Sequence, residues 1–556
     1  MAETEGSLTK PSAAPRPTRQ SGWSPLRYQA FRRWWVAQLT SNVGSWMQTV
    51  AAQWLMTSLT TSAVLVGAIQ ATNLPVLLLA VPAGVLGDLV DRKRLVLVGQ
   101  LVMLIAAAVL GGLAAASLVT PLALLLLLCG IGVGQGLTGP TSTTLTPELV
   151  PPAERSEAIA LGSVNQNLAR AVGPAIGGVL LAATSAAVVF FANALSFVAV
   201  LIAVALTAVP VRTSSLPREQ LRSATRAGGR FVLNSPALIA IMIRAAAFSF
   251  FASGIWALLP LVALRTLGLG SGGYGALLGC VGIGALLGAT FAPAIRGALS
   301  PRALIAVCAV AIALTSAVLA VSHVVVFAGA ALVLAGTGWI IALGSLNASF
   351  QSTLPSWVKA RGMAYYLIAF QGASGIGALV LGAVTQETSL RTGLFVVTAG
   401  LVVGAVVTWR LRLPRPGEID VMMAEAMPLP DVEPTSGPIM VVVSYPVAPG
   451  SESAFLAKAD RLRHFRRRTG GIDWRLWVDG SSPTRFVESY LVGSWEEHER
   501  QHARATQHDQ QLVADLDKLL VPGTSRQATH YFAAPEHLPK APAGGDAGSG
   551  RGGAGE

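Results

Sequence analysis

The sequence is poor in charge. Asp, Glu, Lys and Arg make up 12% of its 556 residues against 52% hydrophobic, where about a quarter charged is usual in a soluble domain. That excludes an ordinary soluble enzyme and indicates a polytopic membrane protein. Acid is scarcer than base, 28 residues to 40, but the bases fall in short loops between apolar runs, where they orient helices in a bilayer. Nucleic acid is therefore not an expected partner. Cysteine is nearly missing, and Cys129, Cys280 and Cys308 all lie inside apolar runs, so no disulfide framework is indicated and the soluble parts suit the cytosol. No G-x-x-x-x-G-K-[ST] run is present, which argues against a nucleotide-binding phosphate loop. No Asp or Glu lies well inside an apolar run either, since Asp88, Glu148 and Glu157 stand at run ends. A buried proton-carrying carboxylate has no candidate.

What is present is a series of twelve apolar runs, near 34–57, 63–88, 95–117, 119–147, 156–183, 186–209, 235–264, 270–298, 301–321, 324–350, 362–385 and 389–413. Each is long enough to cross about 30 Å of hydrocarbon as a helix. The fold class expected is an all-α polytopic membrane protein of twelve transmembrane helices in two six-helix halves, 28–209 and 235–413, joined by a basic cytosolic loop at 210–234. Bases concentrate in alternate loops, at Arg92 to Arg94, Arg155, Arg212 to Arg230, Arg296 and Arg302, Lys359 and Arg361, and Arg410 and Arg412. The positive-inside rule then puts both termini in the cytosol of a multi-pass cell-membrane protein. A repeat crosses the division: Gly130, Gly132 and Arg155 recur 206 positions later as Gly336, Gly338 and Arg361, as expected of two related halves around a central site.

Residues 1–27 are basic and polar with no apolar core, which predicts a disordered tail and not a cleavable signal. A linker at 414–436 leads to a cytosolic domain at 437–534. There Ile439–Val447, Glu452–Arg468, Trp474–Val478, Phe486–Val492, Trp495–Leu520 and Ala528–Phe532 alternate as β-α-β-β-α-β, a ferredoxin-like α+β order. The glycine-rich end, 535–556, is predicted to be flexible.

Between the second and third runs, Gly84, Leu86, Asp88, Arg92 and Lys93 resemble the G-x-L-a-D-r-x-G-R-K loop of the major facilitator superfamily, with Leu89 and Asp91 departing from it. The resemblance implies a conformational switch in which Asp88 meets a helix N-terminus of the other half; a plain positive-inside anchor is the alternative. Gly173-Pro174-Ala175-Ile176-Gly177-Gly178 resembles the G-P-x-x-G-G motif of drug/proton antiporters, although Ala160 and Ala169 replace two glycines of the fuller pattern. The runs Ser41–Gln48 and Trp495–Arg504 add a likeness to the branch holding the enterobactin exporter and the transmembrane secretion effectors. Its C-terminal module resembles the dimeric α+β barrel of antibiotic-biosynthesis monooxygenases, which implies self-association through that domain.

Candidate cavity residues follow from polarity. Gln38, Asn42, Ser45, Thr49 and Gln53 fall on one helical face, and a polar stripe in a membrane helix faces protein or water. Asn165, Gln166 and Arg170 in the fifth run and Gln371 in the eleventh join them; Arg170, near mid-span, needs a partner or water to offset its desolvation. Interhelical bonding without ligand contact is the competing account. His498-Glu499-Arg500-Gln501-His502, with His508, fits H-E-x-x-H, but Ala505 replaces the glycine of the extended pattern, so a polar helix face is expected and no metal or cofactor.

The function expected is secondary active export of a small organic metabolite, siderophore or drug by alternating access, with the bilayer and a small substrate as partners. Proton coupling is implied by the resemblance alone. The alternatives are a membrane-tethered monooxygenase-like enzyme and a non-transporting sensor with the transporter fold.

Overall fold

The computed structural model describes residues 22–76, 78–79, 92–207, 228–411, 413–414, 422 and 438–533. Gly84 and Asp88 of the switch motif lie outside the described residues, as do 1–21 of the expected N-terminal tail, the tail from 535, most of the central loop and nearly all of the linker. The end of the N-terminal tail, expected to be disordered to residue 27, instead forms a short helical turn at Ser24–Arg27 with Pro25 buried. The chain divides into two compact units. The first holds residues up to Arg218, Ile241–Asn347 and Tyr366–Leu413; the second holds Glu219–Ala240, Ala348–Tyr365 and the chain from Pro414.

The helices of the membrane part are α1 (Gln29–Leu59), α2 (Ala63–Ala71), α3 (Arg92–Ala115), α4 (Pro121–Leu145), α5 (Arg155–Ala183), α6 (Ala186–Ala205), α7 (Pro236–Leu261), α8 (Ser271–Ala298), α9 (Pro301–Val321), α10 (Val325–Ser352), α11 (Lys359–Glu387) and α12 (Leu390–Thr408). Among the described residues nine helices, α3, α4 and α6 to α12, are long and apolar enough to cross a membrane. The long helices α1 and α5 are too rich in amides, hydroxyls and Arg to join them. Short polar turns set the boundaries. Ser62, Thr120, Ser300 and Ser389 each accept a hydrogen bond from a first-turn N–H of the helix that follows, and Pro121 and Pro301 occupy first positions where no N–H is needed.

Phe31, Trp34, Val96, Leu145, Leu161, Val200 and Val204 form a buried cluster where α1, α3, α4, α5 and α6 converge. Beside it Glu154 is 2% exposed and accepts hydrogen bonds from Ser24 at 2.8 Å, Tyr28 at 2.9 Å and Arg27, tying the chain before α1 to the start of α5. Lys93, the described side chain of the switch motif, donates to the carbonyls of Ala205 at 2.9 Å and Thr207 at 3.3 Å. A cation thereby meets the negative end of α6.

The second unit contains β1 (Ile439–Pro446), α13 (Glu452–Thr469), β2 (Ile472–Asp479), β3 (Ser482–Val492), α14 (Trp495–Ala503), α15 (Gln507–Asp517) and β4 (Gln527–Phe532). The sheet is antiparallel, in the order β2-β3-β1-β4. Alternation in β1 turns Ile439, Val441, Val443 and Tyr445 inward onto Phe455, Leu462 and Phe465 of α13, each large apolar side chain contributing about 1.5–3 kcal/mol. The single helix expected over Trp495–Leu520 is broken in two, because Thr506 and Asp509 make a reciprocal capping box that starts a new helix. The same unit includes the chain around Phe231 and Trp357. Glu497 bonds Arg230 at 3.2 Å and Arg504 at 2.7 Å. Arg504 lies 4.8 Å over the Trp357 ring, and Phe231 meets Trp357 edge-on at 5.5 Å.

Candidate functional site

Two pairs of helices join the halves of the first unit by backbone contact. A β-carbon on Gly178 of α5 would stand 2.3 Å from Gly275 Cα of α8, and one on Gly282 would stand 2.7 Å from the Ala171 carbonyl. The second pair is α2 with α11, where a β-carbon on Gly67 would reach the Ala378 carbonyl at 2.5 Å and one on Gly382 the Ala63 carbonyl at 2.7 Å. Only glycine permits such approach, and small residues let helices pack tightly in lipid. The arrangement is crosswise: the fifth helix of each half meets the second helix of the other. Three polar contacts close the same end of the bundle, the one that the C-terminus of α1 reaches. The Tyr274 hydroxyl donates to Gln53 Oε1, Ser62 Oγ donates to Gln386 Oε1 at 2.6 Å, and Arg265 donates to the Thr61 carbonyl at 2.9 Å.

The polar stripe of α1 is divided among several neighbours. Ser45 and Thr49 line a cavity of about 50 Å³ with Gln48, Gln70, Thr72, Asn73 and Gln135. Among the described residues, no charged residue lines it. Asn42 donates to Asn165 Oδ1 at 2.9 Å, and Asn165 donates to the Trp35 carbonyl at 2.8 Å, so this pair knits α1 to α5. Gln53 serves the contact to Tyr274, and Gln38 is half-buried. Gln48, Gln70, Asn73 and Gln135 are not among the cavity residues expected from sequence, although lone amides inside apolar runs are the available signal. Gln48 sits one position off the stripe and accepts from Asn193 Nδ2 at 2.6 Å.

The glycine-proline motif of α5 faces two ways. β-carbons on Gly173 and Gly177 would strike Trp46 Cβ at 2.5 Å and Met47 Cα at 2.7 Å in α1, while Gly178 faces α8. Pro174 is buried inside the continuous helix. One turn before it Arg170 is half-buried, its guanidinium 5.6 Å from the centre of the Trp46 ring, a cation–π distance. Gln166 and Gln371 are exposed, and neither is brought to the cavity of Ser45 and Thr49.

In the second unit His498 and His502 of α14 face His530 of β4, with His498 Nε2 and His530 Nε2 2.9 Å apart. Burial and mutual repulsion push His498 down to about 3 and His502, by burial and the nearby Arg466, down to about 4. His508 is exposed on α15. Among the described residues no group of three or more His, Cys, Asp or Glu is arranged to hold a metal ion. The neighbouring Glu488, fully buried, accepts hydrogen bonds from Trp474 at 2.7 Å, Tyr445 at 2.9 Å and Arg466 at 2.9 and 3.2 Å, so its charge is satisfied in place.

A helical bundle latched crosswise between two halves beside a polar cavity is the architecture of a multi-pass transporter of the major facilitator type. The chain belongs to the transmembrane secretion effector family of that superfamily, which it matches over residues 20–536; this is a family of transporters and not of enzymes. It is 28% identical over 163 residues to the staphyloferrin A transporter of Staphylococcus aureus, a match covering 29% of this chain and 41% of that relative. Among solved structures, a bacterial homologue of the human lysosomal transporter Spinster, inward-facing and occupied, is similar with a TM-score of 0.57 at 15% identity, over 70% of this chain and 98% of that one. A D-xylose–proton symporter gives 0.54 at 13% identity, over 70% and 99%. At such identities the likeness is one of fold.

Proposed function

We propose that the protein exports a small organic molecule of the siderophore class from the cytosol by alternating access of two six-helix halves, as a proton-coupled secondary transporter in the cell membrane. The crosswise pairing of α5 with α8 and α2 with α11 carries this reading. It closes one end of the bundle by contacts that a rocking motion can part, and the uncharged cavity of Ser45, Thr49, Gln70, Asn73 and Gln135 is fitted to hydroxyl, amide and carbonyl groups. With both termini cytosolic, the closed end is the outer one. Arg170 on its Trp46 shelf is the proposed contact for an acidic substituent, with Gln166 and Asn165 beside it. Gln371 is the proposed contribution of the other half. The domain at 437–534, ferredoxin-like in strand order, is proposed as a cytosolic module held to the chain around Arg230 and Trp357.

The test is transport by the full chain in proteoliposomes loaded with staphyloferrin A or with a cationic dye, with and without a pH gradient. Gradient-dependent movement of the siderophore supports the reading. Movement of neither compound, with correct insertion shown by protease accessibility, overturns it.

A further inference from the structure

We propose that a small basic cavity among α7, α9 and α12 binds a phosphate group, as presented by an anionic phospholipid or free in solution. Arg244 and Arg302 both line it, together with Phe248 and Thr408, and among the described residues no carboxylate does. Arg244 is 3% exposed. Its Nη2 donates to the Thr408 carbonyl and to the Leu411 carbonyl at 3.0 Å, which answers the open end of α12. Its Nε–H is buried without a hydrogen-bond partner.

Charge bookkeeping leaves this corner strongly positive. The end of α12 supplies about half a negative charge, and the start of α9 about half a positive one, so the two guanidinium groups stand uncompensated by the helix ends. Arg302 sits in the first turn of α9, which has no acidic residue, the helix end where a cation is unfavourable. Two uncompensated cations in a half-dry site call for an anion, because buried charge is costly unless paired. The cavity is about 10 Å³, room for about one oxygen-sized group. A tetrahedral anion would therefore place one oxygen inside, within reach of Arg244 Nε, and keep the remainder at the mouth beside Arg302. On the same helices Val307, Val310, Val403, Val406 and Val407 are exposed, an apolar flank along which acyl chains can lie, and basic pockets between spans hold lipid phosphates in this way.

The experiment uses the purified full chain in neutral detergent, with lipid retention read by native mass spectrometry and thermal midpoint by tryptophan fluorescence. Phosphatidylglycerol, phosphatidylcholine and inorganic phosphate are the three additions. Retained phosphatidylglycerol with a raised midpoint, not matched by phosphatidylcholine, supports the lipid source, whereas a rise with inorganic phosphate that also displaces the lipid supports free phosphate. In either case Arg302→Gln should weaken binding about fivefold and Arg302→Lys should restore most of it. Arg302 is used because Arg244 also holds the end of α12. Binding unchanged in Arg302→Gln, or no preference for either phosphate source over phosphatidylcholine, overturns the assignment.

Discussion

Alanine at Gly178 tests the proposed mechanism. The added carbon would lie 2.3 Å from Gly275 Cα, against about 3.5–4.0 Å for comfortable carbon contact, so α5 and α8 must part by roughly 1 Å or more. Gly275 is backbone at that point, and no side chain can swing aside. Overpacking of this kind costs about 1–3 kcal/mol. In alternating access that cost falls on the closed-outside state alone, because opening that end removes the contact. A differential of this size shifts a two-state equilibrium by about 5- to 150-fold. Spin labels on Ser62 and Gln386, which bond across the halves in this state, should report a longer distance by pulsed electron resonance in Gly178→Ala. Gly177→Ala is the control, since its carbon would meet Met47 Cα at 2.7 Å within one half; it should lower thermal stability and leave the label distance alone. If both variants give the same distance distribution as the parent, the α5–α8 contact is static packing and the reasoning fails.

Arg170→Lys keeps the charge but loses the planar fork that grips a carboxylate in two places and stacks on Trp46, so efflux of an acidic siderophore should fall severalfold while efflux of a cationic dye is unchanged. Equal losses in a proteoliposome assay would assign Arg170 to packing. Acid should loosen the C-terminal sheet domain: His498 and His502 titrate near 3 and 4 when folded but near 6.5 when unfolded, so the unfolded chain takes protons first. Stability is full well above about pH 6.5 and declines as pH falls through 6.5 toward 4, by about 4 kcal/mol at pH 5 for the two groups together. Hydrogen exchange in β4 and α14 of the full chain, corrected for intrinsic rates, should accelerate at pH 5 and should do so less in His498→Gln; pH-independent protection would refute it.

The membrane part was legible because period and length leave few choices for an apolar run of twenty residues. The β-α-β-β-α-β order was legible because strand β1 alternates strictly, with Ile439, Val441, Val443 and Tyr445 inward. The break between α14 and α15 was equally written, as Thr506 and Asp509, but a polar, helix-forming stretch hid it. The stripe on α1 was visible as a face, whereas its division was not. A helix in a bundle has neighbours all round, so Asn42, Gln53 and the Ser45–Thr49 pair reach three different surroundings. Likewise Gly173, Gly177 and Gly178 stood out, yet which neighbour each admits depends on partners far away in sequence. Gly275 and Ala378 carry no local mark of that role.

Close small-residue packing occurs both within the halves and between them, whereas the chains of amide bonds lie within the first half. Inside the first half, amides form chains: Asn42 to Asn165 to the Trp35 carbonyl, and Asn193 to Gln48 with Ser196 bonding back to Asn193 at 2.7 and 3.0 Å. These chains lie in buried or half-buried positions, where opening them would leave polar groups unmet. Between the halves the closure is small-residue contact plus the three bonds at Gln53, Ser62 and Arg265. At about 0.6 kcal/mol for an average interhelical bond in a membrane protein, those three come to about 2 kcal/mol. A gap of that size is within what differential binding of one ligand can reverse. Amide-bonded helices within the first half and a seam of small residues with three polar bonds suit the proposed rocking of two bodies.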